Sequence, residues 1–255
     1  MNRIVAQALV LVLAGAGPAV AEKLTVALST PEVTINSNFT GTTVTVFGVI
    51  DRDAKSVSGV GGYDIAVLLL GPRETVVARR KERILGIWAN AASETFEAAP
   101  SFYGLSTSVK VEELATAPVL QRLQLGFDNI DLRYQGRAMA NDPAAGRFRE
   151  AFIRLKDRAG LYRQEVGVNF IGNLIFRTTF HLPANIPVGA YTADAYLFSD
   201  RLLIGRADDR LSVTKTGLED TMSAFARNQS LLYGLICVAL ALIIGWLGGV
   251  IFRRD

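Results

Sequence analysis

The stretch LPANIPVGAYTADAYLF, residues 182–198, indicates how the body of this chain is built. Pro183 and Pro187 favour the end of one β-strand, because proline has no backbone N–H to donate to a ladder. Gly189 allows a sharp turn, and the apolar run after it is typical of a second strand. Tyr191 stands at the start of that strand, where its hydroxyl can bind the backbone of the preceding loop, as in a tyrosine corner. The stretch therefore predicts two consecutive strands that meet at a corner of a β-sandwich.

Strand patterns lie on both sides of this corner. Residues 42–50 are rich in β-branched side chains, and residues 63–70 form a continuous apolar run that ends at Gly71-Pro72, as expected for a strand buried on both faces. Residues 75–80 and 84–88 predict a hairpin. About seven to nine short strands in two groups predict a mainly β fold, an immunoglobulin-like sandwich. The other strand patterns lie at residues 25–29, 32–35, 164–170, 174–181 and, with a turn inside, 202–214.

The middle of the body changes to a helical pattern. A short helix fits residues 118–125, and a longer one fits residues 143–158, with Asp142 at the N-cap position and Gly160 beyond the end. We therefore expect a helical insertion at about residues 106–160. The sequence leaves open whether one sandwich carries this insertion or two small β units flank it.

The N-terminal end has the pattern of a secretory signal peptide. Arg3 supplies a positive charge, an apolar stretch of about 14 residues follows, and Ala19-Val20-Ala21 matches a small-x-small cleavage site. We expect residues 1–21 to be removed on export. An uncleaved N-terminal anchor is the alternative, which the short apolar stretch disfavours.

The C-terminal end has the pattern of a transmembrane helix. Residues 231–252 carry no charge and reach about 33 Å as a helix, which is enough to cross a bilayer. Two arginines follow as a stop-transfer signal, so the tail, residues 253–255, is expected in the cytoplasm. A periplasmic β-rich region, residues 22–215, would then be joined to the membrane by a juxtamembrane helix at residues 216–230. The predicted location is a bacterial inner membrane.

Composition excludes several classes of function. The chain has 27 Lys and Arg against 24 Asp and Glu, and three of these basic residues and one acidic residue lie at the two ends. The body is thus nearly neutral, which argues against a nucleic-acid-binding protein. Cys237 is the only cysteine and His181 the only histidine, so the sequence predicts no intramolecular disulfide and no zinc site of the Cys/His type.

The densest basic run, RRKER at residues 79–83, is the first candidate site. Its cations, Arg79, Arg80, Lys81 and Arg83, could bind an anion, an acidic partner or lipid headgroups. In a strand, Arg79, Lys81 and Arg83 would share one face. The alternative is a solvated hairpin, which is the usual role of a charge run.

Other polar residues are interpreted as structural. Asp51 and Asp53 could bind a hard cation but fit a polar turn better, and Asp208-Asp209 is interpreted in the same way. His181 as a base would need partners that the sequence does not place. Residues 58–62 are rich in glycine, but no helix pattern follows them, as a phosphate loop requires. The sequence therefore predicts no catalytic residue, metal site or cofactor.

Small residues segregate to one side of the predicted membrane helix. Their spacing of three or four positions places them along one stripe, which lets a second helix approach closely. A GxxxG pair lies at its end. The predicted packing residues are Gly234, Cys237, Ala241, Gly245, Gly248 and Gly249.

Three segments together carry a resemblance. They are RKERILGIWAN at residues 80–90, FRTTFHLPANIPVGAYTADAYLF at residues 176–198 and LLYGLICVALALIIGWLGGVIFRR at residues 231–254. In this order, and after a signal peptide, they resemble the α-proteobacterial putative transmembrane protein family. The resemblance implies an inner-membrane anchor with a periplasmic body, and an association with neighbouring sulfite-exporter-type transporters.

The functional hypothesis is a non-enzymatic, single-pass inner-membrane protein. Its periplasmic β-sandwich is expected to anchor or assist a membrane partner, as an accessory to a transporter or as a homo-oligomer formed through the membrane helix. The alternative is a periplasmic ligand sensor, or a cell-envelope enzyme whose site sequence patterns do not reveal.

Overall fold

The structure, a computed structural model, is mainly β, as the strand patterns predict. It describes residues 23–51, 62–84, 87–134, 143–216, 226–227 and 229–251. The predicted signal peptide, Asp53, the glycine-rich loop up to Gly61 and most of the predicted juxtamembrane helix lie outside these residues. The described strands are β1 (Lys23–Leu28), β2 (Glu32–Ile35), β3 (Gly41–Asp51), β4 (Asp64–Leu70), β5 (Arg73–Ile84), β6 (Ile87–Pro100), β7 (Tyr103–Thr107), β8 (Arg133–Tyr134), β9 (Tyr162–Val166), β10 (Asn169–Ile171), β11 (Ile175–Pro183), β12 (Gly189–Ser199) and β13 (Leu202–Lys215).

These strands form three sheets. The first has four strands in the order β1-β3-β11-β10, and the second has six in the order β2-β13-β12-β4-β7-β9. Neighbouring strands of the second sheet are antiparallel except for the parallel pairs β2–β13 and β7–β9. The third sheet is the long hairpin β5–β6 with the short strand β8 at its side.

Alternating side chains fill the space between the first two sheets. On β3, Val44 and Val46 point inward and are fully buried, whereas Phe47 lies on the outer surface and is 41% exposed. The Thr178 hydroxyl on β11 donates a hydrogen bond of 2.6 Å to the Ser106 hydroxyl on β7, and both side chains are buried. This bond joins the two sheets through their core.

One close approach in this core requires glycine. Gly48 of β3 faces Phe176 of β11 in the ladder, and a Cβ at position 48 would overlap the phenyl ring. Phe176 itself is fully buried. The ring therefore lies directly on the backbone of β3, which only a residue without a side chain permits.

The predicted tyrosine corner is confirmed. The Tyr191 hydroxyl donates a hydrogen bond of 2.6 Å to the carbonyl of Pro187, and its ring packs against Phe102. Gly189 has a φ of 143°, and a Cβ there would lie 2.8 Å from Cγ of Pro72. The corner thus packs against the segment that enters β5.

Strands from both sides of the helical region share sheets. β3 pairs with β11, and β4 pairs with β12, so the chain does not form two separate β units. The order β1-β3-β11-β10 and the order β13-β12-β4 match the ABED and GFC orders of immunoglobulin-like sandwiches. This match supports the immunoglobulin-like interpretation, which stays a prediction, as do the predicted bounds of the regions.

Helices lie between β7 and β9, within the predicted helical region. They are α1 (Val111–Leu114), α2 (Ala117–Leu123), a 3₁₀ turn (Phe127–Asn129) and α3 (Pro143–Arg158). α3 has the predicted bounds, whereas α1 was not predicted. The Arg149 guanidinium on α3 donates hydrogen bonds of 2.9–3.0 Å to the carbonyls of Ile130, Phe127 and Asp128. These bonds fix α3 to the segment that contains the 3₁₀ turn.

Tyr103 fastens this segment to the six-stranded sheet. Its hydroxyl donates to the carbonyl of Gln124 over 2.8 Å and accepts from the N–H of Gly126 over 2.9 Å. Gln124 and Gly126 both have positive φ, at 56° and 99°. Burial raises the pKa of Tyr103, so the hydroxyl stays protonated and makes both bonds.

Two strand predictions were wrong for one reason. The structure continues β5 through the basic residues to Ile84, whereas the pattern predicted an end at residue 80. β13 runs unbroken over Leu202–Lys215, whereas a turn was predicted inside it. In both cases a polar stretch suggested a turn, but a strand with one solvated face accommodates charged side chains along its length.

Candidate functional site

The basic run lies on β5 of the long hairpin. Arg79, Lys81 and Arg83 are exposed at alternate positions of the strand, which places them on one face, as predicted. Arg80 lies on the opposite face, where its guanidinium carbon is 5.9 Å from the ring centroid of the buried Phe148 of α3. The structure therefore groups three of the four predicted cations and gives Arg80 a separate packing contact.

Lys156 of α3 holds the base of this hairpin. Its ammonium nitrogen lies 2.6 Å from Oε1 of Glu74 on β5, and only 13% of the lysine side chain is exposed. The same nitrogen lies 5.7 Å from the ring centroid of Phe152 and 6.0 Å from that of Tyr162. The Tyr162 hydroxyl in turn donates a hydrogen bond of 2.7 Å to the carbonyl of Pro100, at the end of β6. The hairpin is thus fixed at its base to the helical layer.

A polar cleft of about 440 Å³ lies on the outer face of the six-stranded sheet. Asp194 of β12 lies in it, is 6% exposed and accepts a 2.8 Å hydrogen bond from the Arg206 guanidinium. Asp208 faces Asp194 across the β12–β13 ladder. Arg73, the first residue of the hairpin, also lines the cleft. The cleft therefore connects the sheet surface with the hairpin base.

Two groups at this cleft, Arg206 and Tyr196, keep one protonation state at ordinary pH. The hydrogen bond from Arg206 to Asp194 raises the pKa of the arginine, so the guanidinium stays charged. The Arg206 guanidinium lies 5.5 Å from the ring centroid of Tyr196. Burial, and next the charge of Asp194, raise the pKa of Tyr196 to about 12, so that phenol is neutral at ordinary pH. The cleft offers fixed hydrogen-bonding groups for a polar ligand.

The remaining sequence candidates lie apart from one another. His181 is exposed on the outer face of the four-stranded sheet, opposite Thr43, and Asp51 ends β3 opposite Lys23.

The interpretation of Asp208-Asp209 as a turn was wrong, because both lie within β13. The Asp209 carboxylate accepts a hydrogen bond of 3.0 Å from the N–H of Leu28 and so links β13 to β1. Among the described residues, no group of three or more His, Cys, Asp or Glu could hold a metal ion.

The C-terminal helix α4 (Ser230–Ile251) contains the predicted small residues. It is long and apolar enough to cross a membrane, with a mean hydropathy of 2.4 over Ser230–Leu247. The predicted span, residues 231–252, differs from it by one position at each end. Cys237 is exposed, and a Cβ at Gly234 or Gly245 would meet nothing within 4 Å.

The family described as "Putative transmembrane protein (Alph_Pro_TM)" matches residues 23–254, and thus both the sandwich and this helix.

The chain belongs to this family. Membership in the Alph_Pro_TM family and the apolar helix together identify a membrane protein with one candidate C-terminal span. The predicted resemblance is thereby confirmed. No curated protein matches the sequence. The family description names no activity, so the chemistry of the Alph_Pro_TM body must be inferred from its surfaces.

Sequence reasoning missed the polar cleft of this Alph_Pro_TM chain. The signal was available in part, because Asp194 is a charged residue within the apolar strand sequence AYTADAYLF at residues 190–198. A charge on a strand that is otherwise buried needs a partner. Its partner Arg206 lies on the next strand, and only the register of β12 with β13 shows that the two side chains meet.

Proposed function

We propose that this chain is a non-enzymatic, single-pass inner-membrane protein whose body lies in the periplasm and anchors or assists a membrane partner. One observation carries the proposal. No residue of the apolar segment Ser230–Leu247 is buried by the rest of the described chain. Such a surface is stable only against lipid tails or another membrane helix. This segment is therefore available for contact with a membrane partner.

Orientation is the first part of the proposal that an experiment tests. A signal peptide at residues 1–21 and a stop-transfer helix followed by Arg253 and Arg254 support a periplasmic body and a cytoplasmic tail. We expect protease added to spheroplasts to degrade the body, and an alkaline phosphatase fused after Lys215 to be active. A body that is protected in spheroplasts but cleaved after lysis would contradict this orientation.

The small-residue face of α4 is the proposed contact with the partner. Gly245 and Gly249 form its GxxxG pair, where two helices can pack closely. We expect the double variant Gly245→Ile and Gly249→Ile to lose co-purification of the partner, or of a second copy, in mild detergent. Expression and membrane insertion should be unchanged, because isoleucine is apolar and common in membrane helices.

Leu242→Ile is the matched control for this experiment. Leu242 lies on the same helix, away from the small residues, and is 69% exposed. This variant should keep the partner. If the glycine pair and Leu242 variants behave alike, α4 serves only as an anchor.

A transporter is the partner we propose, of the sulfite-exporter type that the family resemblance suggests. The cleft at Asp194 and Arg206 favours a second candidate, a periplasmic ligand sensor, because it presents fixed polar groups on an open surface. The glycine-pair variant separates these functions. It removes a transporter partner but leaves the cleft, and with it ligand binding by the body, intact.

A further inference from the structure

The long hairpin presents a row of cations on a rigid surface. Successive cations among Arg79, Lys81 and Arg83 are two residues apart on β5, so the row is about 13 Å long. Their partners in the ladder are Ser93, Asn90 and Trp88, so no acidic residue stands directly opposite them. The three cations are exposed, and we call this row the basic face.

The other face of the hairpin is already occupied. Phe96 of β6 is fully buried and packs against Phe152 of α3, with ring centroids 4.9 Å apart. Arg80 lies against Phe148, and Glu74 pairs with Lys156 at the base. The hairpin is thus held through one face, and the basic face remains in solvent.

The base of the hairpin lies close to the point where the chain leaves the sandwich. Pro72 directly precedes β5 and packs against Gly189, which pairs with Val213 near the end of β13. Residues 216–229 then lead to α4 and span at most about 50 Å when extended. β5 has 12 residues and is about 40 Å long. The bilayer that holds α4 is therefore within reach of the hairpin.

We propose that the basic face docks on the bilayer surface and binds the phosphate groups of anionic lipids. Guanidinium and ammonium groups bind phosphate through charge-assisted hydrogen bonds, and each cation near an anionic surface strengthens attachment. Trp88 lies opposite Arg83 in the ladder, and tryptophan is a residue type that is enriched at the membrane interface. Lipid is favoured over an acidic protein because α4 keeps the bilayer at a high effective concentration.

Tryptophan quenching in the full-length chain tests this proposal. The chain has two tryptophans, so Trp246→Phe leaves Trp88 as the only reporter, next to Arg83 in the ladder. The protein is placed in nanodiscs of brominated phosphatidylcholine, with or without phosphatidylglycerol. We expect quenching of Trp88 with phosphatidylglycerol and little without it. Salt at about 1 M should reverse the quenching, because the Debye length falls to about 3 Å.

Charge-reversed variants show whether the basic face makes the contact with the lipid. Arg79→Glu, Lys81→Glu and Arg83→Glu together should lower the ratio of docked to undocked hairpin at least about 100-fold. The matched control reverses three exposed strand arginines elsewhere, Arg163→Glu, Arg177→Glu and Arg210→Glu, and should keep the quenching. The variant Arg79→Lys with Arg83→Lys keeps the charge and should also dock. Thermal unfolding of each variant checks that the body is folded.

Several results would overturn the proposal. They are quenching that does not depend on phosphatidylglycerol, quenching that survives high salt, or equal loss in the two charge-reversed triples. Co-elution of an acidic protein that requires the basic face, with no lipid dependence, would assign this face to a protein instead. None of these outcomes affects the contact proposed for α4, because the glycine-pair variants leave the hairpin unchanged.

Discussion

Gly48→Ala should lower the free energy of unfolding of the body by about 3 kcal/mol. The new methyl group would overlap the ring of Phe176, which is fully buried between the sheets. Either the ring leaves its rotamer or β3 and β11 separate, and both cost packing in a dense core. For a body of this size the loss corresponds to a fall of about 6–12 °C in the unfolding temperature, measured by circular dichroism in detergent.

Two further variants show whether the ring is the cause. Gly146→Ala is the matched control, because a Cβ at this helical glycine meets nothing within 4 Å, and alanine there should be neutral or slightly stabilising. Phe176→Ala alone should cost about 3–5 kcal/mol, and adding Gly48→Ala to it should cost little more. Additive losses in the double variant would contradict the direct contact.

Tyr103→Phe should cost about 2–3 kcal/mol and loosen the helical layer. The change keeps the ring but removes a hydroxyl that serves the N–H of Gly126 and the carbonyl of Gln124 at once. Each buried polar group left without a partner costs about 1–3 kcal/mol. We also expect faster amide hydrogen exchange at residues 117–130, because both hydrogen bonds hold Gln124 and Gly126, within this segment, in their positive-φ conformations.

Tyr162→Phe provides the comparison for this second prediction. Tyr162 is as fully buried as Tyr103, but its hydroxyl makes one hydrogen bond, to the carbonyl of Pro100. Its loss should cost less and should leave exchange at residues 117–130 unchanged. Equal effects of the two variants would show that the loss of any buried hydroxyl lowers the stability by this amount. The two hydrogen bonds of Tyr103 would then have no special role.

Features set by neighbours in the sequence were predicted well. The tyrosine corner needs only Tyr191 and the carbonyl of Pro187, which are four residues apart. Helix α3 carries its own signals, Pro143 at its first position and Gly160 beyond its end. The membrane helix is a matter of length and apolar composition. Each of these patterns contains the whole physical cause of the structure it predicts.

Features that depend on register were not predicted. Gly48 and Phe176 are far apart in the sequence, and nothing local shows that they face each other. The Asp194–Arg206 pair also depends on how β12 aligns with β13. The basic residues were predicted to share a face, but the separate role of Arg80 required α3 to be in place. A change of one residue in register would move every side chain to the other face, so such contacts need the folded sheets.

The parallel pairing of β2 with β13 has a consequence for synthesis. Glu32 near the start of the chain pairs with Ser212 near the end of the body, so the six-stranded sheet stays incomplete until its last strand has been made. Contacts of such high contact order form slowly. The membrane helix begins at Ser230, only a short stretch after β13 ends at Lys215. The ribosome therefore synthesises the membrane helix soon after the last strand, and we expect the body to finish folding while the helix is already inserting into the bilayer.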